Sequence, residues 1–97
     1  MPPEEEVQHD EAGHRFFLTL EGGHEAFLRY RLEGNVLDFY HTYVPPEVRQ
    51  KGLAEKIVEA GFLFAKGKGL KVIPSCPYVS AVFSKRRPEF LPLVQSA

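Results

Sequence analysis

The chain has 97 residues, of which 43% are hydrophobic and 26% charged, with a formal net charge of -1. That length holds one core and excludes a second domain. The near-neutral balance supplies no basic face for nucleic acid and no polybasic membrane anchor, so neither partner is expected.

Residues 1–6 are acidic and lack an apolar core, so they read as a disordered tail and not as a signal peptide. Residues 7–97 are read as a single domain. Arg15-Phe16-Phe17-Leu18-Thr19-Leu20-Glu21 is a strand ending at a Gly22-Gly23 hairpin turn. His24 to Leu32 is the next strand, with Ala26, Leu28, Tyr30 and Leu32 on one face. After the Glu33-Gly34-Asn35 turn, residues 36–44 give the longest strand signal. They are apolar on both faces, which places this strand centrally in the sheet. Pro45 and Pro46 end it. From Gly52 the period becomes 3.6, with Leu53, Ile57, Ala60, Gly61 and Phe64 on one helical stripe. Lys66-Gly67-Lys68-Gly69 closes that helix. Leu70-Lys71-Val72-Ile73 is a short buried strand stopped by Pro74, and residues 77–85 form a second short helix. The predicted order is β-β-β-α-β-α, an α+β domain with a mixed sheet and a parallel βαβ crossover.

No run approaches the ~20 apolar residues of a membrane span. The one cysteine, Cys76, makes no internal disulfide, and a reducing cytoplasm is the expected location. His9, His14, His24, His41 and Cys76 show no paired metal-ligand spacing, so no metal is expected.

The most informative segment is the strand-to-helix loop Val48-Arg49-Gln50-Lys51-Gly52-Leu53-Ala54. A helix N-terminus exposes unpaired N–H groups and partial positive charge, and a glycine there lets an anion approach the backbone. With Arg49 and Lys51 beside it, the loop is a seat for a phosphate. Taken alone, the same pattern also fits a glycine that opens a helix between two solvated cations.

Arg49-Gln50-Lys51-Gly52-Leu53-Ala54 resembles the Arg/Gln-x-x-Gly-x-Gly/Ala signature of GCN5-related N-acetyltransferases. His41-Thr42-Tyr43-Val44-Pro45, Pro74-Ser75-Cys76-Pro77-Tyr78-Val79 and Arg87-Pro88-Glu89-Phe90 extend the resemblance to the small single-domain proteins of that kind. It covers roughly residues 7 to 94. The resemblance implies an acetyl-CoA site with the pyrophosphate on the amides of Gln50, Lys51, Gly52, Leu53 and Ala54, with Arg49 beside it. It implies a pantetheine arm along Tyr43 and Val44, and a thioester between residues 41–44 and 74–76. Tyr78 and Phe83 would line the arm, and Lys85, Arg86 or Arg87 would reach the 3′-phosphate. Larger relatives cover the acceptor side with helices between their first strands. Here Gly22-Gly23 joins those strands directly, leaving that side open to a large or flexible acceptor.

The implied reaction is acetyl transfer to an amine of a protein or small molecule. It needs a neutral amine, donors for the oxyanion and a proton for the leaving thiolate. A backbone N–H near Tyr43 or Val44 suits the oxyanion. Cys76, at the start of a helix, suits a nucleophile or an acid toward the CoA sulfur, and His41 a general base. The competing readings are a CoA or acetyl-CoA binding module without catalysis and a structural domain that binds no nucleotide. A monomer is expected, with an exposed first strand that leaves pairing across a dimer open.

Overall fold

The computed structural model describes residues 7–46 and 52–95. Five strands form one sheet in chain order: β1 (Gln8–Asp10), β2 (Arg15–Thr19), β3 (Glu25–Glu33), β4 (Val36–Tyr43) and β5 (Lys71–Ile73). The first four are antiparallel and β4 pairs with β5 in parallel. Helix α1 (Leu53–Lys68) makes the crossover between them. The architecture is the expected α+β mixed sheet, preceded by one strand that sequence did not suggest. β1 has no apolar alternation of its own; besides its ladder to β2 and an Asp10–Arg15 ion pair at 3.6 Å, its main side-chain anchor is His9. That ring stacks on Phe16 at 4.0 Å, meets the edge of Phe64 at 4.5 Å and shares a 2.6 Å hydrogen bond with the Tyr30 hydroxyl. Burial lowers the His9 pKa against the opposing pull of Glu11 and Asp10, and burial raises that of Tyr30.

The β2–β3 hairpin turns through Gly22 and Gly23, both at φ +84°, a region closed to most side chains. Only a three-residue 3-10 turn (Glu21–Gly23), which contains the glycine pair, lies between these strands. In β3 the alternation puts Ala26, Leu28 and Tyr30 in the core. Leu32 opposes the buried Leu37 and so keeps that face, but it is 48% exposed because it lies on the wall of a cleft with the last residue of α1, Lys68.

Two expectations for β4 and α1 are corrected. β4 is the fourth strand of five, with β3 in the middle, and only one of its faces is covered. Leu37 and Phe39 enter the core. The apolar character of the other face is met by stacked guanidinium groups: Arg31 over Tyr40 at 4.3 Å, Arg29 over Phe27 at 5.2 Å and Arg15 over Phe17 at 4.2 Å. The buried stripe of α1 consists of Leu53, Ile57, Val58, Gly61, Phe62 and Ala65, so it is rotated from the predicted one. Ala60 and Phe64 fall to its margin. The rotation follows from Phe62, which stacks on Phe83 at 5.3 Å and meets Phe90 in a tilted contact at 5.2 Å, and so aims the helix at the C-terminal segment. Gly61 lets the helix approach the sheet: a Cβ there would lie 2.8 Å from Phe39 Cζ and 3.1 Å from Leu28 Cδ2. Helix α1 ends as predicted. Gly69, at φ +70°, donates its N–H to the Ala65 and Lys66 carbonyls.

Beyond β5, the chain forms a π-helical stretch (Tyr78–Phe83) that runs into the single-turn helix α2 (Ser84–Arg86). Ser84 fixes the wide turn, because both its N–H and its hydroxyl donate to the Val79 carbonyl. A 3-10 segment (Pro88–Leu93) then carries Phe90 into the core. Among the described residues no helix is long and apolar enough to cross a membrane.

Candidate active site

The site begins where β4 and β5 part. The two strands pair only through Val36, Leu37 and Asp38 opposite Lys71, Val72 and Ile73. Pro74 then takes the chain away from the ladder, since it has no N–H to give. Two contacts close the apex of the split. The Cys76 N–H donates to the Phe39 carbonyl at 2.9 Å, and the Ser75 hydroxyl donates to Asp38 Oδ1 at 2.5 Å. Past this apex, among the described residues, no strand pairs with β4 on that edge.

A bulge at the same place sets which way the β4 side chains point. Arg29 pairs with His41 while Tyr30 pairs with Phe39, so Tyr40 is the extra residue. Directly opposed residues share a face. His41 opposes the exposed Arg29 and therefore stands on the open side, its ring 5.6 Å from Phe27. Thr42 opposes the fully buried Leu28 and therefore turns toward the covered side. Tyr43 returns to the open side, 39% exposed, with its ring 5.6 Å from Phe27. Val44 is buried.

Cys76 lies on the covered side, 7% exposed, within the core group that includes Phe39 and Val44. Its carbonyl accepts the Ser80 N–H at 3.1 Å, so the thiol sits where the helical segment starts. The structure thus brings Cys76 and residues 42–44 to one split and sets His41 on its opposite side. Cys76 and His41 have no direct contact among the described residues. A bulge is a property of strand pairing, which the sequence does not display.

The loop residues Arg49, Gln50 and Lys51 lie outside the described residues. Gly52, which follows them, adopts φ +71° and ψ 22° as the N-terminal cap of α1, and among the described residues, its chain neighbours aside, no atom lies within 4 Å of a Cβ placed there. The side chain of Leu53 is buried in the core and that of Ala54 is half-buried, so any role of theirs toward an anion falls to their backbone amides. Glu55, in the first turn, would oppose an anion, but Arg86 and Arg87 each approach it at 3.5 Å. Arg87 also holds Glu59 at 3.0 Å and Glu89 at 2.7 Å. Those bonds push its pKa up and pull that of Glu89 down. Arg87 is therefore committed to three carboxylates, which leaves Lys85 and Arg86 as the exposed cations of this segment.

Tyr78 is half-buried near Glu55, and burial, then that carboxylate, raise its phenol pKa, keeping a proton on the hydroxyl. Phe83 corrects an expectation. It is fully buried, stacked between Phe62 and Phe90, because the π-helical stretch turns it inward. It supports the wall from behind and does not line an arm.

Sequence reasoning missed Thr42. Its Oγ1 is buried and is the one buried side-chain oxygen or nitrogen without a hydrogen-bond partner among the described residues. Leaving such a hydroxyl unpaired costs about 1–3 kcal/mol. An orphaned polar atom in an unpaired split fits a ligand with polar atoms there, as the amides and thioester of acetyl-CoA would supply.

At the far end of α1, whose 16 residues at ~1.5 Å each span about 24 Å, lies an open cleft of about 380 Å3. It is lined by Glu11, His14, Tyr30, Phe64 and Lys68 among others and is separate from the split.

The same fold recurs in a solved structure. The chain superposes on an NMR structure of a GCN5-like putative N-acetyltransferase from Staphylococcus aureus with a TM-score of 0.76. The superposition covers 99% of this chain and 93% of that one at 22% identity, a likeness of fold. The family description "GCN5-related N-acetyl-transferase" matches residues 15–93, and the chain belongs to that family. Among curated proteins it is 30% identical to human Protein NATD1 over 92 residues, covering 92% of this chain and 81% of that protein. It is 33% identical to chicken Protein NATD1 over 76 residues, covering 76% and 69% of the two chains.

Proposed function

We propose that the chain is an acetyl-CoA-dependent N-acetyltransferase that transfers acetyl to an amine and acts in the cytoplasm. The observation that carries this reading is the parting of β4 from β5 beside a glycine-capped helix start. It leaves backbone donors and acceptors on the β4 edge that an extended amide-bearing chain can pair with. Bound there, acetyl-CoA supplies an activated acyl group.

The chain's own residues divide the work. Gly52 and the amides of residues 50–54 bind the pyrophosphate at the positive end of α1, with Arg49 and Lys51 adding charge. Tyr43 aligns the arm through its backbone with Val44 beside it, and the Tyr78 hydroxyl, kept protonated, donates to it from the far wall. His41, on the open side, takes the proton of the incoming amine. Cys76, on the covered side, either gives its proton to the departing CoA sulfur or takes the acetyl group from that sulfur as a thioester and passes it to the amine. The two groups do not touch because they serve opposite sides of one split.

Thermal unfolding with acetyl-CoA, with ATP as the phosphate control, tests the reading. At ~100 times its dissociation constant a ligand adds about 2.7 kcal/mol. In a domain of this size that raises the midpoint by about ten degrees. A rise with acetyl-CoA alone is expected, and no rise with either compound overturns the proposal. The open acceptor side supports a second reading, a CoA-binding module that does not itself catalyse. Steady transfer to an amine panel, lost on Cys76→Ala or His41→Ala, rejects it.

A further inference from the structure

We infer that the Thr42 hydroxyl is the side-chain donor for the acetyl carbonyl oxygen, and that it makes the split prefer acetyl-CoA to free CoA. The inference rests on the split being the acetyl-CoA site. Three observations place the hydroxyl there. The bulge at Tyr40 turns Thr42 to the covered side, the side of Cys76. Its Oγ1 is buried and unpartnered among the described residues, so it holds a hydrogen-bond donor ready where water does not reach. Its depth fixes which part of the ligand meets it. From the α1 start, an arm passes Val44 and Tyr43 before Thr42, and the apex closes beyond it at the Phe39–Cys76 hydrogen bond. The group that reaches Thr42 is therefore the end of the arm, the thioester.

A threonine without this role is the wrong residue for the position. Valine has the same shape, favours strands equally and brings no hydroxyl to bury. The expected signature is thus a pair of opposite effects. Thr42→Val raises the unfolding midpoint of the free protein by about 5 °C, by removing the orphaned hydroxyl. In calorimetric titration the same variant loses about tenfold in affinity for acetyl-CoA while its affinity for CoA stays at the wild-type value. Thr42→Ser keeps the hydroxyl and retains the preference for acetyl-CoA, which guards against a simple packing effect. Equal binding of acetyl-CoA by wild type and Thr42→Val, or equal losses for acetyl-CoA and CoA, overturns the Thr42 assignment alone. A wild type that binds neither compound overturns the reading of the split, and the assignment with it.

Discussion

The two halves of β4 lie on one strand and live in different surroundings. From Val36 to Asp38 the strand is paired on both edges, with β3 on one side and β5 on the other. Beyond the bulge it keeps β3 but, among the described residues, pairs with no strand on the other edge. The first half carries Leu37 into the core, and the second carries a buried hydroxyl without a hydrogen-bond partner among the described residues. The difference teaches that one strand can be fully paired in one half and carry the proposed ligand edge in the other, with the Phe39–Cys76 hydrogen bond as the border. Substitutions on either side of that border should therefore fail in different assays.

The largest effect is expected at the split end. Gly52→Glu puts bulk and negative charge where the loop would seat a phosphate, on a backbone at φ +71° that strains any side chain. CoA binding should fall by at least about a hundredfold, or 2.7 kcal/mol, in calorimetry. Wild-type affinity in this variant would remove the helix start from the site. Next is Cys76→Ala, which under the proposed role of the thiol at the thioester should lower acetyl transfer by about a hundredfold while acetyl-CoA affinity changes little. Retained turnover would make Cys76 a core residue only.

On the paired side the prediction reverses. Gly61→Val drives methyl groups into Phe39 and Leu28 and should cost about 3 kcal/mol in chemical denaturation, because the facing ring sits against backbone-fixed helix. Acetyl-CoA affinity of the folded protein should stay near the wild-type value. The smallest effect concerns pH. The folded state holds His9 neutral through burial, and the unfolded chain takes up a proton near the ordinary value of 6.5. Stability is therefore complete above that value and declines as pH falls below it toward the lower folded pKa. His9→Phe should abolish that share of the slope, read from denaturation midpoints between about pH 7 and 5.

Much of the molecule was legible because local rules and global packing agree. The glycine pair at Gly22 and Gly23, the alternation through Ala26, Leu28 and Tyr30, and the Gly69 cap all appear as read. The exceptions share one cause, partners distant in sequence. Phe62 faces inward because Phe83 and Phe90 wait for it, which no 3.6-residue period reveals. β1 exists because the His9 ring finds Phe16 and Phe64. At the candidate site, the loop and Cys76 stood out by motif, whereas Thr42 looked like any β-branched strand residue. Its meaning depends on a bulge and a missing neighbour, and both are features of pairing.

The stacked arginines have a further consequence. A sheet with helices on one face and aromatic rings on the other would adhere to its own copies. Three guanidinium planes lie over Phe17, Phe27 and Tyr40 instead and hold a film of charge and water above the rings. Arg15 is also held by Glu25 at 2.8 Å and Asp10 at 3.6 Å, so this part of the charged layer is fixed in place over its ring.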